Sequence, residues 1–476
     1  TICRRNRFCL MRQTPFNPSA PNLPDADFGL LSGKRAAYYT LGCKLNFSET
    51  STIGGELEQY GVTPVPKGER ADICVINTCS VTAQADKKGR NLIRQVVRAH
   101  PTAVVVVTGC YAQLAAPELL AMEGVSLVVG TGRKSEIATH VAAYLTALRD
   151  GRKLPREEAL LVGSWELLHR FEEGCSRDDR TRHFLKVQDG CNCACSYCTI
   201  PKARGRSRNG SIASMVAAAR KVVAEGGREI VLTGVNIGDF GRTTKERFED
   251  LVLALDAVEG IERYRISSLE PELISDELID IVAASRHFMP HWHIPLQSGS
   301  DEVLRLMRRK YRRALFADRL ERIKRLMPDA FVGLDIIVGM RGETDALFEE
   351  TRAFLSEMPF TRLHLFTYSE RKGTDALSIP HIVTPAKKKI RSQILHRLSM
   401  EHLSAFYNSF NGQCRPVLWE SSEREGQMSG FTDNYIKLTA PYDASLTNRI
   451  TPARIGAQLS PDEELCYGEP LSTILS

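Results

Sequence analysis

The sequence predicts an α/β protein built from three units, and three observations favour this fold class. Strand-like apolar runs alternate with helix-like runs from residue 35 to about residue 370, as in parallel α/β architecture. This alternation is interrupted over residues 151–180, which we interpret as a linker between two units. From residue 411 onward, short apolar runs alternate with polar turns, a pattern typical of a small β-barrel.

The first unit, residues 35–150, contains four predicted strands. They lie in RAAYYTLGC, ADICVINTC, AVVVVTGC and SLVVGTG, and helical patterns such as GRNLIRQVVRAH separate them. We therefore expect a Rossmann-like parallel sheet with helices on its faces. Residues 1–34, rich in Pro and Asn towards their end, are predicted to form a disordered or loosely packed tail.

The second unit, residues 181–410, contains six predicted strands. They lie in HFLKVQDG, REIVLTGVN, RYRISSLEP, HWHIPLQSG, FVGLDIIVGM and RLHLFTYSE. Six successive βα units indicate an open, partial (β/α)6 barrel rather than a complete eightfold one. The long helical run that follows is predicted to end at Asn411–Gly412, and residues 411–476 form the third unit, the β-barrel.

Composition limits the classes of function. The chain has 476 residues, a net charge of +6 and no apolar run long enough to span a bilayer. We expect a soluble, cytoplasmic protein, in which thirteen cysteines indicate metal binding more than disulfides. The excess of positive charge lies outside residues 411–476, which contain five basic and nine acidic residues. Basic segments such as 202–208 and 305–313 are weak signs of a polyanionic partner.

Three cysteines of the first unit directly follow predicted strands. Cys43, Cys79 and Cys110 end the segments TLGC, INTC and VTGC. The ends of neighbouring parallel strands lie along one edge of a sheet, so these thiols should converge in one crevice. Gly42 and Gly109 would let the backbone approach a bulky group there. Three unrelated buried cysteines are the alternative; Cys74, inside an apolar strand, is predicted to be such a core residue.

The segment CNCACSYC (191–198) holds four further cysteines at the mouth of the predicted barrel. A zinc site, a disulfide knot and an iron–sulfur cluster are the three interpretations. Structural zinc usually takes paired C-x2-C knuckles, and no second knuckle follows. Cys191, Cys195 and Cys198, spaced C-x3-C-x2-C, can instead hold three irons of a cubane cluster and leave the fourth iron open.

These motifs carry a family resemblance. C-x3-C-x2-C with an aromatic residue before the third cysteine resembles the radical S-adenosylmethionine superfamily. DGCNCACSYCTIPKARGRSR, preceded by TLGCKLN, INTCSVT and VTGCYAQ, is similar to its methylthiotransferase family. LTGVN, SSLEP, HIPLQSGSD and DIIVGMRGET follow in that family's order, and GFTDNYIKL resembles its RNA-binding TRAM barrel. Cys193 stands where the family usually has a non-thiol residue, so it is predicted to be the surplus cysteine.

The resemblance implies the cofactors. A 4Fe-4S cluster on Cys191, Cys195 and Cys198 would cleave S-adenosylmethionine reductively to a 5′-deoxyadenosyl radical. A second 4Fe-4S cluster, on Cys43, Cys79 and Cys110, would carry the sulfur, and a second S-adenosylmethionine per turnover would methylate it. No side chain can remove hydrogen from an unactivated carbon, so such a reaction needs a cofactor.

Further residues are assigned by the same resemblance. Thr233 and Gly234 correspond to the place where the superfamily binds the methionine amine, and Glu270 and Gln297 could hold the nucleoside. Local turn hydrogen bonds are the alternative role for these strand-end residues. Arg204 could pair with a carboxylate or a phosphate of a ligand, or remain solvated.

Lys44 in TLGCKLN and the segment GFTDNYIKL resemble the subclass that acts on threonylcarbamoyl-adenosine 37 of transfer RNA. The isopentenyl-adenosine and ribosomal-protein aspartate subclasses are alternatives, and a non-catalytic iron–sulfur RNA-binding protein is a different class. Expected partners are the anticodon stem-loop, a small flavodoxin- or ferredoxin-type reductant and a sulfide source. We expect a monomer.

Overall fold

The computed structural model describes residues 26–176, 181–460 and 463–471, and in them the predicted fold class is confirmed. The first unit is a parallel six-stranded sheet in the order β2-β1-β3-β4-β5-β6, so the strand order reverses between β1 and β3. Its strands are β1 (Arg35–Thr40), β2 (Thr63–Pro64), β3 (Ile73–Thr78), β4 (Val104–Gly109), β5 (Leu127–Val129) and β6 (Leu160–Leu161).

Helices cover both faces of this sheet because its strands alternate apolar side chains between two cores. Val104 and Val106 contact one apolar core and Val105 and Val107 the other. Cys74 packs in the second core, as predicted. The helices are α1 (Lys44–Glu58), α2 (Ala83–Ala99), α3 (Cys110–Leu120), α4 (Ile137–Arg149) and α5 (Arg156–Ala159).

The structure adds detail at both ends of this unit. Residues 28–31, within the segment expected to be a tail, form a 3-10 helix in which Leu31 is fully buried. Residues 1–25 lie outside the described part of the chain. Strand β6 lies in the segment 151–180 and pairs with β5, because its leucines extend the apolar core of the sheet.

The second unit is the predicted partial barrel of six parallel strands, in two hydrogen-bonded groups. A short antiparallel strand adds to the first group, which has the order β12-β11-β8-β7, while the second is β13-β14-β15. A small hairpin, β9 with β10, follows the first barrel strand. The strands are β7 (Gly174–Cys175), β8 (Arg182–Lys186), β9 (Gln188–Asp189), β10 (Arg208–Asn209), β11 (Glu229–Thr233), β12 (Arg263–Ile266), β13 (His291–Gln297), β14 (Phe331–Val338) and β15 (Arg362–Thr367).

The helices of this unit follow its strands, and all except the short α6 contribute apolar residues to the barrel core. They are α6 (Ile200–Arg204), α7 (Ile212–Ala224), α8 (Phe248–Asp256), α9 (Asp276–Ala284), α10 (Asp301–Leu306), α11 (Arg313–Leu326), α12 (Asp345–Glu357) and α13 (Pro385–Ser409). Helix α13 starts with Thr384 as its N-cap and is followed by Gly412 in the left-handed conformation, at the predicted stop.

The third unit is a closed five-stranded barrel docked on the N-terminal ends of the large barrel's strands. Buried Arg263 and Arg265 of β12 donate hydrogen bonds to backbone carbonyls of the small barrel, at Phe431 and Thr432 among others. Its strands are β16 (Cys414–Arg424), β17 (Gln427–Thr432), β18 (Lys437–Pro441), β19 (Ile450–Gln458) and β20 (Cys466–Pro470). Within the described residues, no helix has the length and apolar character needed to cross a membrane.

Candidate active site

The first three cysteines lie together at the carboxyl edge of the first sheet. Cys43 follows β1, Cys79 follows β3 and Cys110 begins α3 directly after β4. The gap between β1 and β3, where the strand order reverses, is the usual ligand crevice of such sheets. We call these three residues the sheet-edge trio.

Two glycines make this close approach possible. Gly42 and Gly109 have φ angles of 109° and 97°, in the region that favours glycine. A Cβ on Gly42 would lie 2.7 Å from the Cβ and 3.2 Å from the Sγ of Cys79. A Cβ on Gly109 would lie 2.3 Å from the carbonyl oxygen of Thr78. Both glycines therefore allow neighbouring protein segments to approach closely, while their predicted role beside a bulky group stays a prediction.

The three cysteines of the sheet-edge trio differ in exposure: Cys43 is exposed, Cys79 is half-buried and Cys110 is buried. Cys110 is 4% exposed, and the Nε–H of Arg204 donates to its Sγ at 3.2 Å. Burial raises the pKa of the Cys79 thiol to about 12, with a further contribution from Cys110 and Cys43 nearby. Burial also raises the pKa of the Cys110 thiol, so the Cys79 and Cys110 thiols are protonated at neutral pH and a metal group that binds them must displace their protons.

The cysteines of the C-x3-C-x2-C motif, Cys191, Cys195 and Cys198, lie in the loop that follows β9. Ser196 fixes this loop, since its backbone N–H donates to the carbonyl of Met307 at 3.1 Å and its hydroxyl to Leu306 at 2.7 Å. Each sulfur of the predicted ligands accepts one N–H group. Cys191 accepts from the backbone of Cys193 at 3.3 Å, Cys198 from Ile200 at 3.4 Å, and Cys195 from the side chain of Arg309 at 3.3 Å. We call Cys191, Cys195 and Cys198 the loop trio.

Cys193 is close to the loop trio rather than remote from it. Its thiol is hydrogen-bonded to the side chains of both Cys191 and Cys195, and the contact with Cys191 is the main cause that raises its pKa to about 11. Its own sulfur accepts from the side-chain nitrogen of Asn236 at the longer distance of 4.0 Å. Among the four cysteines of residues 191–198, the three with N–H donors at 3.3–3.4 Å are those of the loop trio.

Arg309 connects the loop trio to another predicted residue. Its guanidinium forms an ion pair with Glu270 and also contacts Cys195. Glu270 is therefore engaged by a protein cation. Sequence reasoning missed Arg309, because it belongs to the basic segment 305–313, which we interpreted only as a weak sign of a polyanionic partner.

A cavity of about 240 Å³ is lined by segments that adjoin both trios, and Cys198 is the cysteine of the two trios that lines it. Val81 and Thr82, just after Cys79, line one side of it, and Cys198 with its neighbours lines another. Residues of the large barrel's strands, including Gln297 at the end of β13 and Asp335 within β14, complete the wall. Arg371, beyond β15, holds the first unit over this cavity, with hydrogen bonds to Asp86 at 2.6 Å and to Ser80 at 2.8 Å.

The remaining predicted residues fall into two places. Gln297 lines the cavity in a left-handed conformation with φ 65°, a strained state for a residue other than glycine that is common at functional sites. Thr233 is buried at the end of β11, and a Cβ on the following Gly234 would lie 2.8 Å from the carbonyl oxygen of Gln188. Gln188, missed from the sequence, accepts the N–H groups of Val235 and Asn236 at 3.0 and 2.8 Å and so fixes this loop.

Arg204 is not solvated: it is 1% exposed and belongs to a buried ion network between the first two units. The Nη1–H groups of Arg204 donate to Glu49 at 2.9 Å and to Asp189 at 3.0 Å. The predicted pairing of Arg204 with a carboxylate therefore occurs, but within the protein. We call this the bridging network; its charged members are Glu49, Lys134, Lys186, Asp189, Arg204 and Arg208.

Removal of one charge from the bridging network is expected to lower the free energy of unfolding of the protein strongly. Breaking a buried ion pair costs about 3–5 kcal/mol of unfolding free energy. The unfolding free energy of such proteins falls by ~1–3 kcal/mol for each molar of urea, so Glu49→Gln should lower the urea midpoint of the apo-protein by more than about 1 M. Glu349→Gln, in which the lost carboxylate pairs only with exposed Arg352, is the matched control and should leave the midpoint unchanged. Equal midpoints for the two variants would contradict the role of the network.

The bridging network is also expected to make the stability of the fold depend on pH. The neighbouring cations hold the pKa values of Glu49 and Asp189 below their ordinary values, against the opposing effect of burial. A carboxyl with a depressed folded pKa stabilises the fold above its unfolded pKa of about 4, and the contribution is lost as pH falls through the folded value. The wild-type protein should therefore lose stability below about pH 4 more steeply than Glu49→Gln, as measured by thermal denaturation.

The donor set fits iron–sulfur clusters better than a single ion. Within the described residues no three His, Cys, Asp or Glu side chains converge on one metal position, and all described cysteines are free thiols. In a cubane cluster each thiolate binds a different iron, so the sulfurs need not meet at one point. The N–H donors at the sulfurs suit thiolate ligands.

Comparisons with known proteins agree with this site. Residues 35–130 match the model of "Uncharacterized protein family UPF0004", and residues 185–355 match that of the "Radical SAM superfamily". The fold is similar to a radical S-adenosylmethionine methyltransferase, TsrM from Kitasatospora setae, with a TM-score of 0.52 at 14% identity, covering 90% of this chain and 84% of that one.

Curated relatives cover most of the chain. The "Threonylcarbamoyladenosine tRNA methylthiotransferase MtaB" of Bacillus subtilis is 37% identical over 88% of this chain and 93% of its own length, and that of Thermotoga maritima is 33% identical over 84% and 89%. The "tRNA-2-methylthio-N(6)-dimethylallyladenosine synthase" of Syntrophotalea carbinolica is 32% identical over 87% and 95%.

The fold and the cysteine loop at the barrel mouth define a radical S-adenosylmethionine protein. This class uses S-adenosylmethionine and a 4Fe-4S cluster. Within it, the chain belongs to the methylthiotransferase family and is an enzyme of that family.

Proposed function

We propose that the enzyme transfers a methylthio group to C2 of N6-threonylcarbamoyladenosine at position 37 of transfer RNA. The observation that carries this proposal is a cavity whose wall contains Cys198 of the loop trio and also Val81 and Thr82, which follow Cys79 of the sheet-edge trio. A substrate atom in this cavity would lie beside the segments that carry the two trios. The names of the relatives from Bacillus subtilis and Thermotoga maritima support the choice of substrate.

The proposed ligand sets are the two trios, with one 4Fe-4S cluster on each. Bound there, the clusters would supply the electron that cleaves S-adenosylmethionine and the sulfur that is transferred, with two molecules of S-adenosylmethionine per turnover. Thr233, at the end of β11, and Gly234 after it would hold the methionine part, and Gln297 would contact the nucleoside from the cavity wall. Glu270 would act from its ion pair with Arg309, beside Cys195.

The division of labour among the units is part of the proposal. Residues 35–150 would provide the sulfur-carrying site, residues 181–410 the radical site, and the β-barrel of residues 411–476, as a TRAM domain, would bind RNA. Residues 151–180 would connect the first two units. To reach the cavity the adenine must leave the anticodon-loop stack, which is less costly in a single-stranded loop than in a duplex.

The supply of electrons and sulfur completes the scheme. A small flavodoxin- or ferredoxin-type protein would reduce the loop-trio cluster, and a sulfide source would renew the transferred sulfur. The enzyme would act as a monomer in the cytoplasm, where transfer RNA is modified.

Nucleoside mass spectrometry of transfer RNA tests the substrate. In a strain from which the gene is deleted, 2-methylthio-threonylcarbamoyl-adenosine should disappear and its precursor without the methylthio group should accumulate, and the wild-type gene should reverse both changes. The relative from Syntrophotalea carbinolica favours a second candidate, the isopentenyl-type adenosine at the same position. Loss of 2-methylthio-dimethylallyladenosine with an unchanged threonylcarbamoyl derivative would establish that alternative and reject the first.

A further inference from the structure

The bridging network contains more positive than negative charge. Its cations are Lys134, Lys186, Arg204 and Arg208, and its only carboxylates are Glu49 and Asp189, all less than a tenth exposed. Within the described residues these side chains have no other charged partner in hydrogen-bond contact. Two positive charges therefore remain without a carboxylate in a buried place, which is costly unless another anion lies nearby.

Arg204 directs this excess charge toward the sheet-edge trio. Nη1 contacts Glu49 and Asp189, and Nη2 donates to the side-chain oxygen of Asn46 at 2.6 Å. The remaining donor, Nε–H, points at the Sγ of Cys110 at 3.2 Å. Four partners fix the plane of the guanidinium, so this N–H···S contact is set by the network rather than by a free side chain.

Arg204 belongs to the second unit, whereas the cysteine that it contacts belongs to the first. It ends helix α6, which begins two residues after Cys198 of the loop trio, while Cys110 begins α3 of the first unit. The same arginine therefore ties the segment of one trio to a cysteine of the other. Thr131 of the first unit strengthens this junction by donating its hydroxyl to the carbonyl of Ala203 at 2.7 Å.

We propose that Arg204 is a positioning residue that compensates the negative charge of thiolate ligation at Cys110 and raises the reduction potential of the cluster on the sheet-edge trio. This inference rests on the proposed second cluster. Three thiolates give a 4Fe-4S core a net negative charge that grows on reduction, and a fixed cation with an N–H···S bond stabilises the more negative state.

Arg309 at Cys195 has a different electrostatic setting. It contacts one sulfur of the loop trio, and its charge is matched by the carboxylate of Glu270. Lys202, Arg206 and Arg308 also line the pocket around the loop trio, and Arg308 pairs with Asp375. These three side chains are exposed to solvent, which screens their charge, whereas the excess positive charge of the bridging network is buried.

The test isolates one cluster in the full-length chain. In a Cys191→Ala, Cys195→Ala, Cys198→Ala background, only the sheet-edge cluster can form, and its midpoint potential is measured by redox titration with electron paramagnetic resonance. Adding Arg204→Gln should shift the one-electron equilibrium at least tenfold toward the oxidised form, a fall of about 59 mV. Arg352→Gln, an exposed arginine on α12, is the matched control and should leave the potential unchanged.

The remaining outcomes of this experiment decide whether the inference is overturned. A loaded Arg204→Gln variant whose equilibrium stays within twofold of its parent would overturn the inference and reduce Arg204 to a structural ion-pair residue. If Arg204→Gln does not fold or load, Arg204→Lys decides; it keeps the charge but cannot serve four partners, so a shift of at least threefold is expected and none would overturn the inference. If the variant with the three alanine substitutions contains no iron, the proposal of a second cluster is wrong, and this inference falls with it.

Discussion

A chain with alanine at Cys195 is expected to release no 5′-deoxyadenosine from S-adenosylmethionine under reducing conditions. Two thiolates cannot hold a cubane cluster with one open iron, and the N–H of Arg309 would lose its sulfur acceptor. Chromatography of the products of reconstituted, reduced protein measures the loss, which should exceed a hundredfold. Cys191→Ala and Cys198→Ala should behave in the same way.

Cys193→Ala is the matched control for this experiment, since it removes a thiol from the same loop. The N–H that Cys191 accepts comes from the backbone of residue 193 and survives the substitution. We therefore expect iron content and cleavage within about twofold of wild type. Loss of iron in Cys193→Ala, or retained cleavage in Cys195→Ala, would mean that the loop trio has been chosen wrongly.

Cys79→Ala is expected to separate the two halves of the reaction. Cys79 lies between its two partners at the sheet edge, and its neighbours Val81 and Thr82 line the cavity, so the substitution removes a ligand without touching the loop trio. Methylthiolated nucleoside should fall below detection, while 5′-deoxyadenosine release should remain within about tenfold of wild type. Both products are measured in one reaction with an anticodon stem-loop that carries the threonylcarbamoyl group.

Cys414→Ala, in which an exposed cysteine of the small barrel is removed, controls for the loss of a thiol and should leave both products unchanged. If Cys79→Ala still forms methylthiolated product, the sheet-edge trio does not carry the transferred sulfur. If it loses both products together with its iron, the two sites are not independent.

The sequence was sufficient for the fold because its strands are long and apolar. Nine of the ten predicted strands lie within their predicted segments, and β8 begins one residue earlier, at Arg182. The cysteines that follow β1, β3 and β4 come together because parallel strand ends share one edge. The short strands β2 and β6 have two residues each and too little pattern to be recognised.

The buried charges could not be predicted, because their partners are distant in the sequence. Glu49 and Arg204 are separated by 155 residues, and nothing local distinguishes them from solvated surface residues. Only Lys186 and Asp189 left a signal, as charged residues at the end of an apolar strand. Arg309 turns inward because Arg308 before it adopts φ 58° just after helix α10, which reverses the chain.

The two trios differ in how much of the molecule must exist before their sulfurs can meet. The loop trio spans residues 191–198, so even a short stretch of chain can gather it. The sheet-edge trio draws one residue from each of three strands, and Gly42 and Gly109 place them only when those strands are paired. With the proposed ligand sets, metal delivery to the sheet edge would therefore wait until the first unit has folded.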